Sequence, residues 1–349
     1  MNKRTIYIVI AFLILVLLSY VNYKKNEILI LDGFTQGTTY HIVYKQPYSP
    51  GYFLNPKLHD YQEEIDSLLM EFDRSLSIYL PGSVISRINN NEKDVKVDSL
   101  FRIVFYKAKE VNELSDGAFD ITVGPLVNAW GFGPELREQI DSALIDSLIQ
   151  FVGMDNVRIE KDMVIKSKPG VKLDVNAIAQ GYSVDIIAGF LGSKGIKNYL
   201  VEIGGEIRAA GRKKKGTTWK VGVDKPYDNN YIPGQDLQVI LALEDNSMAT
   251  SGNYRKFFEE NGVKYSHSID PKTGYPVRHN LLSVTVTAPD CMTADAFATA
   301  FMIMGLEKSV RLVNKLDGIE AYFIYSDENS DFCTEFTDGF GKIIVDVQE

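Results

Sequence analysis

The sequence predicts an α+β or mixed α/β fold: one domain, residues 26–349, behind an N-terminal segment, residues 1–25. Three observations carry that prediction. Helical and strand-like patterns alternate irregularly, and the strand patterns cluster mid-chain, often as hairpins, which disfavours a doubly wound sheet. No Gly-x-Gly-x-x-Gly follows a first strand and no Gly-x-x-x-x-Gly-Lys-Ser/Thr occurs, so the standard dinucleotide and P-loop fingerprints are absent. No linker interrupts the chain from Ile30 onward, and its 349 residues, 45% hydrophobic and 24% charged, have an ordinary globular composition.

At the N-terminus, Lys3 and Arg4 precede an apolar run from Ile6 to Leu18, extended by Tyr20 and Val21 and closed by Lys24 and Lys25. That charge-flanked run resembles a secretory signal peptide or a single membrane anchor, and an uncleaved anchor with an exported body is the preferred expectation. No small-x-small cleavage site follows it, and no cysteine stands there to carry a lipid. Strand-like alternation comes next, around Gln36–Tyr44. Apolar residues at Ile65, Leu68, Leu69, Phe72 and Leu76 recur with helical period, as do Leu100, Ile103, Val104, Ala108 and Val111. The second of these helices ends before Ser115-Asp116-Gly117, where glycine can cap it. A third helix is predicted from about Ala177 to Leu191. Strands are predicted at Tyr199–Ile203, Trp219–Asp224, Leu237–Leu243, Ser283–Ala288, Glu320–Tyr325 and Lys342–Val345.

The formal net charge of −9, with Arg212-Lys213-Lys214-Lys215 as the longest basic run, excludes nucleic acid as the main partner. That run reads as a hairpin tip. The two cysteines, Cys291 and Cys333, match no metal motif; one disulfide or two buried thiols both remain open.

Six segments at the ends of predicted elements carry polar groups or glycines, the usual places for a site. Ala294-Asp295-Ala296-Phe297-Ala298-Thr299 reads as a helix start. Asp295 and Thr299 lie four residues apart, so a helix sets both oxygens on one face, as hard ligands for Mg²⁺. The ordinary reading of Asp295 is a helix cap. Gly117 to Val127, leading to Trp130-Gly131-Phe132-Gly133, offers close backbone approach and aromatic rings, Phe119 and Trp130, that either meet a ligand ring or fill the core. Asp174, before the third helix, is an N-cap candidate beside amide groups that bind phosphate. Gly204-Gly205 allows a sharp turn. Thr250-Ser251 either binds phosphate or caps a following helix. Finally, His267 precedes the turn Asp270-Pro271-Lys272-Thr273-Gly274 and titrates near neutral pH.

In this order the segments resemble one family, the ApbE family of FAD:protein FMN transferases. The matching stretches are QGTTYHIVY, LSIYLPGSVISRIN, GAFDITVGPLVNAWGFGP, LDVNAIAQGYSVD, VEIGGEI, ATSGNYRKFF, HSIDPKTGYPV and VTVTAPDCMTADAFATAFMIMG, spread over about residues 30–347. The resemblance implies a compact, T-fold-related α/β domain with FAD in a cleft. It implies transfer of FMN from FAD to a Ser or Thr hydroxyl of an acceptor flavoprotein, with release of AMP. Acceptors of the family include subunits of membrane redox pumps, which places the catalytic domain on the periplasmic side of a bacterial inner membrane. By the same resemblance Asp295, Thr299 and the carbonyl of Ala177 hold Mg²⁺. FAD contacts fall on Gln36, Tyr79, Ala118, Phe119, Asp120, Asp174, Gln180 and Ile269, and His267 is the candidate general base. The chain departs from the family at Gln36, where Met is frequent, and at Gln180, where Lys or Glu is common. The alternatives are a Mg²⁺-dependent FAD pyrophosphatase, in which water replaces the acceptor hydroxyl, and a non-catalytic, membrane-tethered flavin-binding protein.

Overall fold

The computed structural model describes residues 2–24, 28–46, 60–135, 140–213, 216–227, 230, 234–253, 257–260, 263–266, 268–329 and 331–347. It opens with a helix, α1 (Lys3–Lys24), whose side chains are exposed throughout residues 3–17. Among the described residues no helix is long and apolar enough to cross a membrane, so the expected spanning anchor is not met there. The strands β1 (Ile28–Thr35) and β2 (Thr38–Lys45) form a hairpin. Its two-residue turn has positive φ at both Gln36 (52°) and Gly37 (74°), the backbone that matches strand twist in a tight hairpin.

An all-helical stretch follows: α2 (Gln62–Leu76), α3 (Val84–Asn89) and α4 (Ser99–Leu114). Side chains of Ser83 and Asp98 accept the backbone N–H groups of Ser86 and Phe101, satisfying amides that α3 and α4 leave open. Then come α5 (Gly124–Ala129), α6 (Ser142–Ile149) and the small hairpin β3 (Val157–Glu160) and β4 (Met163–Lys166). The central helix α7 (Asn176–Ser193) leads into the hairpin β5 (Tyr199–Ile203) and β6 (Glu206–Ala210). Next are β7 (Trp219–Asp224), β8 (Leu237–Leu243), β9 (Asn246–Gly252), β10 (Phe257–Glu260), β11 (Val263–Ser266) and β12 (Leu281–Ala288). The chain closes with α8 (Cys291–Met304), α9 (Leu306–Val313), β13 (Glu320–Ser326), β14 (Phe332–Phe336), α10 (Asp338–Gly341) and β15 (Ile344–Val347).

Eight strands make one sheet in the order β1-β2-β5-β6-β9-β12-β13-β14, and the pairs along it are antiparallel. A three-stranded sheet, β15-β8-β7, covers one face of it. Helices α2, α4, α7 and α8 cover the other. Strand alternation shows the layering directly. In β5, Tyr199, Val201 and Ile203 face the helices while Leu200 faces the small sheet; in β13, Ala321 and Phe323 face the helices while Tyr322 and Ile324 face the small sheet. A sheet buried on both faces needs near-continuous apolar strands, which β5 and β13 supply. Helices α7 and α8 lie between that sheet and the outer helices, and their sequences are apolar all round for that reason.

Three expectations are corrected here. The run beginning Arg212-Lys213 is not a hairpin tip: it leads from β6 of the large sheet to β7 of the small one, with Lys214 and Lys215 outside the described residues. Thr250 and Ser251 cap no helix; they lie on β9, where Thr250 Oγ1 is 2.9 Å from Thr285 Oγ1. The last predicted strand lies two residues later than expected, at β15. Both cysteines are free thiols, Cys291 buried and Cys333 partly exposed.

Candidate active site

The candidate site is built on the start of α7 and the second and third turns of α8. The α8 helix starts at Cys291, not at Ala294, because Asp290 accepts the Thr293 N–H at 2.8 Å and fixes the start there. Asp295 therefore sits in the second turn and does not cap its own helix. Its carboxylate crosses to α7, where Oδ2 accepts the N–H of Gly181 at 2.9 Å. Only glycine permits this contact: a Cβ on residue 181 would meet the Cys291 carbonyl oxygen at 2.4 Å and the Asp295 Cβ at 2.7 Å.

In an α-helix the partner of the Gly181 N–H is the carbonyl of Ala177. The Gly181 donor turned to Asp295 lies one turn after Ala177 on α7. Thr299 stands one turn beyond Asp295 on the same face of α8. Burial pushes the Asp295 carboxyl up to about 7; the Asp185 charge adds to the rise and the Gly181 N–H opposes it. A buried carboxylate with one amide partner, a hydroxyl and a backbone carbonyl make an all-oxygen set suited to a hard dication. Among the described residues no three His, Cys, Asp or Glu side chains gather as a metal group.

Other predicted residues gather around the start of α7. Asp174 is buried; its Oδ1 accepts the Asn176 N–H at 2.9 Å and its own N–H donates to Ile121 at 2.7 Å. It holds the first helical amide without being the N-cap, which is Val175. Asn89 clamps the preceding residue from both sides: it donates to the Leu173 carbonyl at 2.8 Å and accepts the Leu173 N–H at 2.7 Å. The Tyr79 side chain is 60% exposed, and its phenol is raised by partial burial and by the Asp174 charge, with a hydrogen bond to Asn176 opposing the rise.

Gln180 donates to the Ile203 carbonyl at 3.1 Å, packing against the β5–β6 turn. There Gly204, at φ 62°, leaves room for the amide; a Cβ would lie 1.7 Å from Gln180 Nε2. Gln36 projects from the β1–β2 turn, and its Oε1 accepts from Ser183 Oγ of α7 at 3.4 Å. Its Nε2 is buried without a protein partner, a donor group available to a ligand acceptor.

The loop after α4 divides its residues between the core and the site. Phe119 is 2% exposed and belongs to the main apolar cluster, so its ring faces the core. Ala118 is buried beside it. The buried Asp120 Oδ1 accepts from Thr122 N (2.8 Å) and Oγ1 (2.5 Å), Oδ2 accepts from Asn112 at 3.3 Å, and burial raises its carboxyl above the usual range. Asp120 thereby shapes the loop that Thr122 ties to Gly153. Trp130 is also a core ring; its Nε1 donates to the Gly274 carbonyl at 2.9 Å. That bond, the Lys272–Asp116 ion pair and the burial of Ile269 against Leu126 and Trp130 join this loop to the 268–276 turn. His267 lies outside the described residues, between Ser266 of β11 and the buried Ser268 and Ile269. A groove of about 470 Å³ between β1 and α2, lined by Asp32, Phe34, Tyr40, Asp66 and Met70, contains none of the predicted site residues.

Sequence reasoning missed two groups here. Asn89 closes the motif LSIYLPGSVISRIN, but only the structure shows that it reaches Leu173. Asp185 closes the motif LDVNAIAQGYSVD, but only the structure shows that it reaches α8.

The chain is similar to known proteins over most of its length. The ApbE family model matches residues 36–323. An FAD:protein FMN transferase of Haemophilus influenzae is 36% identical over 329 residues, covering 92% of each chain. Its counterpart from Vibrio cholerae is 40% identical over 291 residues, covering 82% of this chain and 84% of that protein. The solved structure of the flavin transferase ApbE from Vibrio cholerae superposes with a TM-score of 0.79 at 37% identity, covering 91% of this chain and 99% of that one.

Proposed function

The chain belongs to the ApbE family, and we propose that it transfers FMN from FAD to a Ser or Thr hydroxyl of an acceptor flavoprotein, releasing AMP, in a Mg²⁺-dependent reaction. The observation that supports the metal reading is the bond from Gly181 N–H to Asp295 Oδ2, which sets a buried carboxylate of α8 against α7, with Thr299 one turn further along α8 and Ala177 one turn earlier on α7. Mg²⁺ held there supplies neutralisation of the pyrophosphate charge and of the AMP leaving group.

The chain's own groups bind, orient and move a proton. Gln36 Nε2 offers a donor to the ligand, Tyr79 a ring face, and the amides at the start of α7 an anion site. Asp174 and Asn89 hold that start in place, and the Asp120 loop, tied to the 268–276 turn through Trp130, walls the cleft. Phe119, with its ring in the core, would meet FAD through its backbone, as would Ala118 and Ile269. His267 takes the proton of the acceptor hydroxyl as that oxygen bonds to the FMN-side phosphorus, while the bond from that phosphorus to the AMP phosphate oxygen breaks. Most of the acceleration comes from positioning and charge, as in other phosphoryl transfers.

The same proposal covers location. The exposed apolar side chains of α1 behind Lys3 and Arg4 support attachment to the bacterial inner membrane, with the catalytic domain on the periplasmic side and subunits of membrane redox pumps among the acceptors.

Mass spectrometry of candidate exported acceptors, coexpressed with the wild type or with Asp295→Ala, tests the reading. A gain of one FMN with the wild type and none with the variant is expected, with both enzymes folded. Full labelling by Asp295→Ala in the presence of Mg²⁺ would exclude the metal assignment. Rapid release of FMN and AMP from FAD without acceptor, and no labelled acceptor, would identify a pyrophosphatase instead. His267→Ala should slow transfer more than it weakens FAD binding; equal losses would make the residue a binding group.

A further inference from the structure

Helices α7 and α8 are joined by two reciprocal links spaced one turn apart. In one, the backbone of α7 donates to a carboxylate of α8: Gly181 N–H to Asp295 Oδ2 at 2.9 Å. In the other the direction reverses: Asp185 of α7 accepts the Cys291 N–H on Oδ1 at 3.0 Å and the Met292 N–H on Oδ2 at 2.9 Å. Residues 181 and 185 are four apart on one helix, and 295 and 291 are four apart on the other. The links are therefore successive rungs of one antiparallel register, about 6 Å apart along the axes. The next rung in that register sets Ala177 opposite Thr299, which is where the two remaining metal ligands of the proposed function stand.

Asp185 is built for this task. The first amides of a helix have no partner inside it. Asp290 satisfies the third, at Thr293, and Asp185 satisfies the first two from a different helix. Arg208 of β6 pairs with Asp185 Oδ1 and fixes its direction; burial raises the Asp185 carboxyl, and the two α8 amides and the Arg208 charge oppose that rise. The side chain is 11% exposed, so the link is shielded from water. Three elements, α7, α8 and β6, thus meet at one carboxylate.

We propose that Asp185 is a positioning residue of the metal site: held by Arg208, it locks α8 against α7 in the register that brings Asp295, Thr299 and the Ala177 carbonyl onto one ion. It touches neither metal nor FAD and acts through the start of α8. This inference rests on the metal reading above. Partners that orient ligating groups typically change metal affinity about 10–100-fold when mutated.

The test is direct Mg²⁺ titration of the full chain by calorimetry without FAD, on the wild type, Asp185→Asn, Arg208→Lys and Asp295→Ala. Melting temperature and FMN transfer at low and saturating Mg²⁺ are recorded alongside. Asp185→Asn keeps the shape but loses the charge that Arg208 holds. It should weaken Mg²⁺ binding at least about tenfold, with FAD affinity unchanged and transfer restored at saturating Mg²⁺. Arg208→Lys should shift the affinity in the same direction by a smaller factor. A folded Asp185→Asn with wild-type Mg²⁺ affinity overturns the proposal. If that variant does not fold, Arg208→Lys decides: unchanged affinity overturns it. Failure of the metal reading looks different, since Asp295→Ala would then bind Mg²⁺ as the wild type does.

Discussion

Two buried ionisable side chains bracket α8, and the fold treats them in opposite ways. Asp295, in the second turn, is raised to about 7 by burial, with only the Gly181 amide to stabilise its charge. It is a carboxylate whose surroundings call for a cation. His279, at the other end, has Nε2 2.7 Å from the Met302 carbonyl, and burial lowers its pKa below the usual 6.5. The neutral ring donates to a carbonyl at the helix C-terminus, so the Nε2–H tautomer is the one the bond requires. Because the folded pKa is depressed, the unfolded chain takes up the proton first. Stability is unaffected well above pH 6.5 and is lost as pH falls through that value. Melting curves between pH 7.5 and 5.5 should show a steeper loss of Tm for the wild type than for His279→Gln, which keeps a donor and cannot titrate. Equal slopes would mean that His279 is not responsible. The two residues were not equally legible. The spacing of Asp295 and Thr299 could be read because helix geometry links residues four apart. His279, a lone histidine, formed no pattern, and Asp185 reaches partners 106 and 107 positions away, which no local period can report.

At the scale of the element, the α7–α8 pair depends on close approach. Gly181 faces the Cys291 carbonyl with no space for a methyl group, and both obstructing atoms, that oxygen and the Asp295 Cβ, belong to or adjoin the backbone of α8. Gly181→Ala forces the helices apart. We expect a loss of about 1–3 kcal/mol from overpacking, despite the better helix propensity of alanine. The same displacement breaks the Gly181–Asp295 bond, so Mg²⁺ affinity should fall together with stability. Denaturant melts and metal titration of that variant measure both; a variant as stable as the wild type would show that the pair tolerates separation. The elements themselves were largely legible. The apolar period placed α2 and α4 correctly, and the expected strands at Tyr199–Ile203, Trp219–Asp224 and Leu237–Leu243 carry the observed bounds. The start of α8 was not, because the apolar stretch alone marks the buried turns, whereas Asp290 and Asp185 set the first one. Thr250 and Ser251 read equally well as a cap, and only their pairing with β12 makes them strand residues.

The whole molecule stacks a helical layer, an eight-stranded sheet and a three-stranded sheet, and this order was beyond the reach of sequence patterns. Apolar alternation shows that a strand is buried but not which strand lies beside it. Thus β2 pairs with β5 and β6 with β9, across long intervening segments. The family motifs could still be read, because they lie along single elements and their ends and do not depend on the sheet order. The layered body also explains why the N-terminal helix can be separated from catalysis. Every described side chain of α1 from residue 3 to 17 is exposed, and the buried clusters begin at Leu31 with Leu29 packed against them. Removing residues 1–17 therefore takes away no core contact and should leave Tm within about 2 °C, given that surface changes rarely exceed about 0.5 kcal/mol. FMN transfer in detergent should likewise be unchanged. Membrane attachment should not survive, since exposed Ile, Leu, Val and Phe side chains of α1 are its only proposed contacts with lipid. Fractionation of cells expressing the full chain and the truncated one checks this: the full chain should sediment with membranes and the truncated chain should stay in the supernatant. Equal sedimentation would move the attachment to the body, whereas a truncated chain that no longer folds would give α1 a structural role that its exposed side chains do not suggest.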